Sequence, residues 1–240
     1  MSYNILTVRT AEDVDDGAVY PVLSDASSRY LVEMDSLDGT DIAVLSASHV
    51  NVQEAAGGGL RTVVKAGEIK LDLYITDSRF VIACEKWDKG GGWVGSPGTA
   101  LVLNAVSKAR AAARRRGKIL VGQIRYPWLM SIGASPKTSW LDSEMVRLQV
   151  RHGTESGERY LLLDLTLPKN VDSIDVARDI ASRAARYRLA HDESMEAAER
   201  SAFEALCTPE RLRPEPKKFA FHSMPTSYRV LASTAFPNVH

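Results

Sequence analysis

Apolar and polar residues alternate through "EIKLDLYIT", with Ile69, Leu71, Leu73 and Ile75 on one side and Lys70, Asp72, Tyr74 and Thr76 on the other. That period of two belongs to a strand with one face on a core. "TDSR" turns the chain and the apolar run "RFVIACE" returns, which predicts a β-hairpin. A second hairpin follows the same logic in "EMVRLQVRHGTESGERYLLLDLTL", where Leu161, Leu163, Leu165 and Leu167 oppose Tyr160, Leu162, Asp164 and Thr166. Further strands are expected in "DIAVLSASHVNVQ", in "RTVVKA" after the turn "AAGGGL", and in "KILVGQIRYPWLMSIGAS".

Two segments change period. From about Thr99 to Arg116, Val102, Ala105, Val106, Ala109, Ala112 and Ala113 share one helical face, and Gly117 supplies the stop. In "NVDSIDVARDIASRAARYRLAHDE", Ile174, Ala177, Ile180, Ala181, Ala184 and Tyr187 share another face, behind a capping pattern in which Asp172 or Ser173 can accept from free amides. "ESMEAAERSAFEALC" continues as helix after a break near His191. Residues 1–40 are acidic and poorly periodic, and read as an arm. The proline-rich tail after Thr208 reads as an extended segment that Phe219, Phe221, Tyr228 and Phe236 hold against some surface.

"GEIKLDLYITDSRFVIACE" resembles the "G-x-L-Y-x-T-x-x-R-h-h" hairpin of the GRAM branch of pleckstrin-homology-like domains. "IRYPWLMSIGAS", the hairpin after it and "VDSIDVARDIASRAARYRL" resemble that family's later strands and closing helix. The resemblance spans about Asp41 to Leu189. It implies an α+β, mainly β fold: a seven-stranded, strongly bent antiparallel sandwich or partly open barrel with one open end plugged by the C-terminal helix. The expected organisation is an arm over 1–40, the pleckstrin-homology-like domain over 41–190 with an inserted helix at about 99–116, and a helical extension and tail over 191–240. The inserted helix departs from the family pattern. Members of this family mostly bind headgroups, peptides or other domains, so the resemblance implies a non-enzymatic binding or adaptor module.

Composition narrows the partners. Thirty Lys and Arg balance thirty Asp and Glu over 240 residues, so any basic patch is local and a nucleic-acid coat is disfavoured. The basic run is "SKARAAARRRGK", with Lys108, Arg110, Arg114, Arg115, Arg116 and Lys118. On a helical wheel these cations surround the helix and gather at its last turn, where they complement the dipole. A solvated helix end is the first reading and an anionic-ligand patch the second, since guanidinium forks suit phosphates. Nucleic acid ranks behind a protein partner or an anionic membrane surface, because no aromatics interleave the run. Self-association stays open.

Catalytic chemistry finds little support. "KWDKGGGWVGSPG" lacks the Gly-Lys-Ser/Thr ending of a phosphate-binding loop, and the three glycines read as a flexible connection. His49, His152, His191, His222 and His240 form no metal-ligand spacing, and "DSLDGTD" lacks the full calcium-ligand series. No cofactor is expected. An enzyme acting on a phosphorylated or nucleotide ligand at the basic helix is the alternative from another class. Arg79 sits where the family commonly carries a basic residue, and reads first as a structural ion-pair partner in the hairpin. Cys84 and Cys207 form no disulfide framework, and Cys84 reads as a buried thiol. With no signal pattern at the N-terminus and no long apolar run, a cytoplasmic protein is expected.

Overall fold

A computed structural model describes residues 6–10, 43–56, 59–77, 79–84, 118–154 and 157–225. In chain order the strands are β1 Leu6–Thr10, β2 Ala43–Ala56, β3 Gly59–Ile75, β4 Arg79–Cys84, β5 Lys118–Arg125, β6 Leu129–Ser135, β7 Met145–Thr154 and β8 Gly157–Thr166. Helices α1 (Ser173–His191) and α2 (Ala197–Leu206) follow, then β9 (Ala220–Ser223). A 3-10 turn, Tyr126–Trp128, separates β5 from β6.

All nine strands of the described residues join one antiparallel order, β1-β5-β4-β3-β2-β8-β7-β6-β9. This order dictates the shape. Laid flat, six strand spacings would separate β5 from β6 by about 29 Å. Yet only Tyr126–Trp128 lie between them, a connection that spans at most about 14 Å. The sheet must therefore curl until its two ends approach. The edge strands β1 and β9 are not paired with each other, so among the described residues the curl stops short of a closed barrel. Register shifts in the β2–β3 pair, between Ala47 and His49 and between Val52 and Gln53, are the kind of irregularity that lets long strands bend.

The core lines the inside of the curl. Val50, Val52, Leu73, Ile75, Phe80, Ile82, Ile124, Val146, Leu148 and Val150 are buried together, as are Leu161, Leu163, Leu165 and Leu167. Both predicted hairpins form, β3 with β4 and β7 with β8. "RTVVKA" and "GEIKLDLYIT" prove to be one continuous strand, because β2 is long enough to pair along both. Tyr74 and Thr76, expected on the solvent side of β3, are buried as well.

Helix α1 packs on β6, β7, β9, the 3-10 turn and α2. Of the predicted face, Ile174, Ala177, Ile180, Ala181 and Ala184 are buried, and Tyr187 is partly buried against the core. At its start the two capping candidates divide the work. Asp172 accepts from the Ile174 amide at 2.8 Å, whereas Ser173 donates from N and Oγ to Glu144 at 3.1 and 2.7 Å. Among the described residues, no helix is long and apolar enough to cross a membrane.

Two segments differ from expectation. Leu6–Thr10, inside the expected arm, is a strand on β5. Within the tail, Ala220–Ser223 is a strand on β6. Both are too short for periodicity to reveal, and each is defined by a partner more than 80 positions away.

Candidate functional site

Two hairpin turns bound this fold, and they are built to different ends. In the β3–β4 turn, the Thr76 hydroxyl donates to the Arg79 carbonyl at 2.8 Å and accepts from the Arg79 amide at 3.0 Å. Tyr126, in the 3-10 turn, donates its hydroxyl to the Thr76 carbonyl. From α1, Arg183 donates to Asp77 at 2.8 Å while holding Asp179 one helical turn away. Arg79 is buried here, and its main chain closes the turn. The turn is a packing junction between sheet and helix.

The connection between β6 and β7, Pro136–Glu144, is equally ordered at its base and open at its tip. Asp142 accepts from the Thr138 hydroxyl at 2.6 Å and from the Thr138 amide at 3.3 Å, and its own amide donates to the Ser139 carbonyl at 3.2 Å. The hydrogen bonds from Thr138 and Ser139 hold the Asp142 carboxyl below its ordinary value, which keeps it ionised as the acceptor that ties the turn. Buried Glu144 anchors the base, accepting from the Lys137 amide at 3.2 Å as well as from Ser173.

On this fixed frame sit Trp140, 81% exposed, and Leu141, 73% exposed. With Leu60 they are the large hydrophobic side chains exposed among the described residues. Single exposed apolar residues are ordinary, but an adjacent pair held outward on a hydrogen-bonded turn forms a patch and is the candidate contact surface.

Three lysines stand near the tip, beside the ionised Asp142. Lys137 reaches the Lys169 carbonyl at 2.8 Å, which brings the exposed β8–α1 connection alongside. Lys217 lies near enough to Asp142 for its charge to favour the ionised carboxylate. Lys137, Lys169 and Lys217 are all exposed.

Of the residues singled out from the sequence, Lys108, Arg110, Arg114, Arg115 and Arg116 lie outside the described residues, as do the glycine-rich loop and most of the arm. Lys118 opens β5 and pairs with Thr10 of β1. Sequence reasoning passed over Trp140 and Leu141. Their signal was the string "SPKTSWLDSE", a polar connection between two strands interrupted by two adjacent large apolar residues.

Other chemistry is sparse here. Among the described residues no group of three or more His, Cys, Asp or Glu side chains is arranged to hold a metal ion. Cys207 is a free thiol whose pKa burial pushes up, away from a reactive thiolate. Compared with family models, with curated proteins and with solved structures, the chain matches none.

Proposed function

We propose that this chain is a cytoplasmic binding module of pleckstrin-homology-like type that engages an anionic membrane surface through the turn bearing Trp140 and Leu141. The fold type is supported by seven successive strands, β2 to β8, in a sheet curled until its ends approach, followed by an amphipathic helix. The observation that carries the function is the outward-held Trp140–Leu141 pair on a turn ordered by Asp142.

The chemistry of that turn suits an interface between water and lipid. Indole and isobutyl groups gain by entering the headgroup boundary, where the indole N–H still finds acceptors. Lysines beside them meet anionic headgroups, each contributing about 1 kcal/mol near such a surface. Lys137, Lys169 and Lys217 supply that charge locally, in a chain whose net charge is zero. Rigidity helps, because a turn already in shape loses little freedom on binding. The basic run from Lys108 to Arg116 is not needed for this reading.

The test is sedimentation of the full chain with vesicles of neutral lipid alone and of neutral lipid mixed with phosphatidylserine. Binding to the mixed vesicles, weakened by salt and lost on Trp140→Ala with Leu141→Ala, is the expected result. Binding to neither kind of vesicle would overturn the membrane reading and leave the exposed pair to a protein partner.

A further inference from the structure

We infer that β9 is an exchangeable strap, and that the groove it fills between β6 and α1 accepts the same strap from a second copy of this chain. This inference does not rest on the membrane reading, although Lys217 takes part in both.

The groove is shaped for its occupant. Ala220, Phe221, His222 and Ser223 pair with Ala134, Gly133, Ile132 and Ser131 of β6. Phe221 lies so closely over Gly133 that a Cβ there would come within 2.5 Å of the ring, so only glycine leaves room for it. One strand further in, Gly133 pairs with Arg147, whose guanidinium is locked to Asp164 by contacts of 2.6 and 2.9 Å. That guanidinium stacks over the Phe219 ring at 4.0 Å. Beyond the strand, the Met224 amide donates to the Met130 carbonyl at 2.9 Å. The strap thus fits through two aromatic rings and a run of main-chain pairing. A four-residue strand with so little contact of its own depends on this groove for its order.

The segment before it is built as a hinge. As far as Arg211 the chain is fastened to α1: Ser182 donates to the Cys207 carbonyl at 2.7 Å, Arg178 to the Pro209 carbonyl at 3.4 Å, and Arg211 pairs with Asp172. From Leu212 to Lys218 the chain then folds back through a tight turn, with Lys218 N donating to the Glu215 carbonyl at 3.0 Å. Lys217 is held there at a φ of 61°, in the left-handed region that a lysine adopts only under strain. Pro216 and Lys217 are the two central residues of that turn, so the positive φ falls on a lysine where glycine is usual, and Pro214 just before it favours an extended approach.

Opening this turn releases the strain at Lys217 and loses the strap contacts. Docking the strap on a second copy restores the contacts with the hinge still extended. Short strained hinges favour this kind of exchange between identical chains, and the two-fold result is closed because each copy offers one strap and one groove.

Two measurements on the full chain decide it. In analytical ultracentrifugation the unmodified chain is expected to shift from monomer to dimer as its concentration rises, and a chain that stays monomeric throughout overturns the inference. In the second, Cys84 and Cys207 are replaced by Ser, then a Ser131→Cys chain is mixed with a Ser223→Cys chain under mild oxidation. Residues 131 and 223 are directly opposed, within disulfide reach, so strap exchange gives a covalent heterodimer. A dimer in solution that yields no such crosslink is not a strap exchange and also overturns the inference. Lys217→Gly, which removes the hinge strain, is expected to lower the heterodimer yield by about fivefold, and an unchanged yield removes strain as its driving force.

Discussion

The turns at β3–β4 and β6–β7 are both hairpin connections fastened by a threonine side chain, yet they end in opposite places. Thr76 is covered by Tyr126, with Arg183 of the helix holding the neighbouring Asp77. Thr138 fastens Asp142, and the residues between them, Trp140 and Leu141, face outward. Order in the first turn joins two layers of the fold. Order in the second presents two apolar side chains that the fold itself does not use. Hydrogen-bonded turns therefore do not announce their role by their bonding, and the exposure of what they carry distinguishes a packed junction from an open tip.

This contrast can be broken at its strongest point first. Glu144 is buried and accepts from Lys137 and from both donors of Ser173. Glu144→Ala is expected to lower unfolding stability by roughly 2–3 kcal/mol in urea titration, since it leaves the two buried donors of Ser173 unmatched. A loss below about 0.5 kcal/mol, the range of ordinary surface substitutions, would detach this turn from the stability of α1.

Next comes the tip. Trp140→Ala with Leu141→Ala should cut partitioning onto phosphatidylserine-containing vesicles by more than about tenfold, from the apolar area removed. The same variant should keep its urea midpoint, because exposed side chains contribute little to folding. A fallen midpoint would show that the pair packs rather than presents.

The β3–β4 turn makes the converse prediction. Tyr126→Phe removes the buried donor to the Thr76 carbonyl and is expected to cost about 1 kcal/mol of stability, leaving vesicle binding unchanged. Altered vesicle binding at unchanged stability would erase the distinction between the turns.

The smallest effect is set by pH. His222 lies buried at the β9–β6 edge, opposite Ile132, and among the described residues its Nε2 has no hydrogen-bond partner. Burial, and then the positive charge of Arg178, push its pKa below the ordinary 6.5. The unfolded chain thus binds a proton more readily, so this site's contribution is fully present above about pH 6.5 and declines as pH falls toward the lowered folded value. His222→Gln should flatten that part of the stability profile.

Much of this architecture is legible in the residues. Alternation in "EIKLDLYIT" and "RYLLLDLTL" identifies the hairpins, because one face of each strand meets the core. The stripe from Ile174 to Ala184 identifies α1 and its buried side for the same reason. What stayed hidden depends on distant partners. Ala220–Ser223 is a strand because Gly133 leaves space for Phe221, which no local pattern encodes. Trp140 and Leu141 stayed hidden for another reason. A pair of apolar residues in a polar string reads the same whether it folds inward or outward, and only their exposure in the folded chain tells the two apart.

The most direct test of a presenting turn is the depth of residue 140 itself. A full chain carrying Trp140 as its sole tryptophan, with Trp87, Trp93 and Trp128 changed to Phe, would be titrated with phosphatidylserine vesicles. A blue shift in its emission, with quenching by lipids brominated near the headgroup, is the predicted result. An emission spectrum that stays that of a water-exposed indole at saturating vesicles would contradict it.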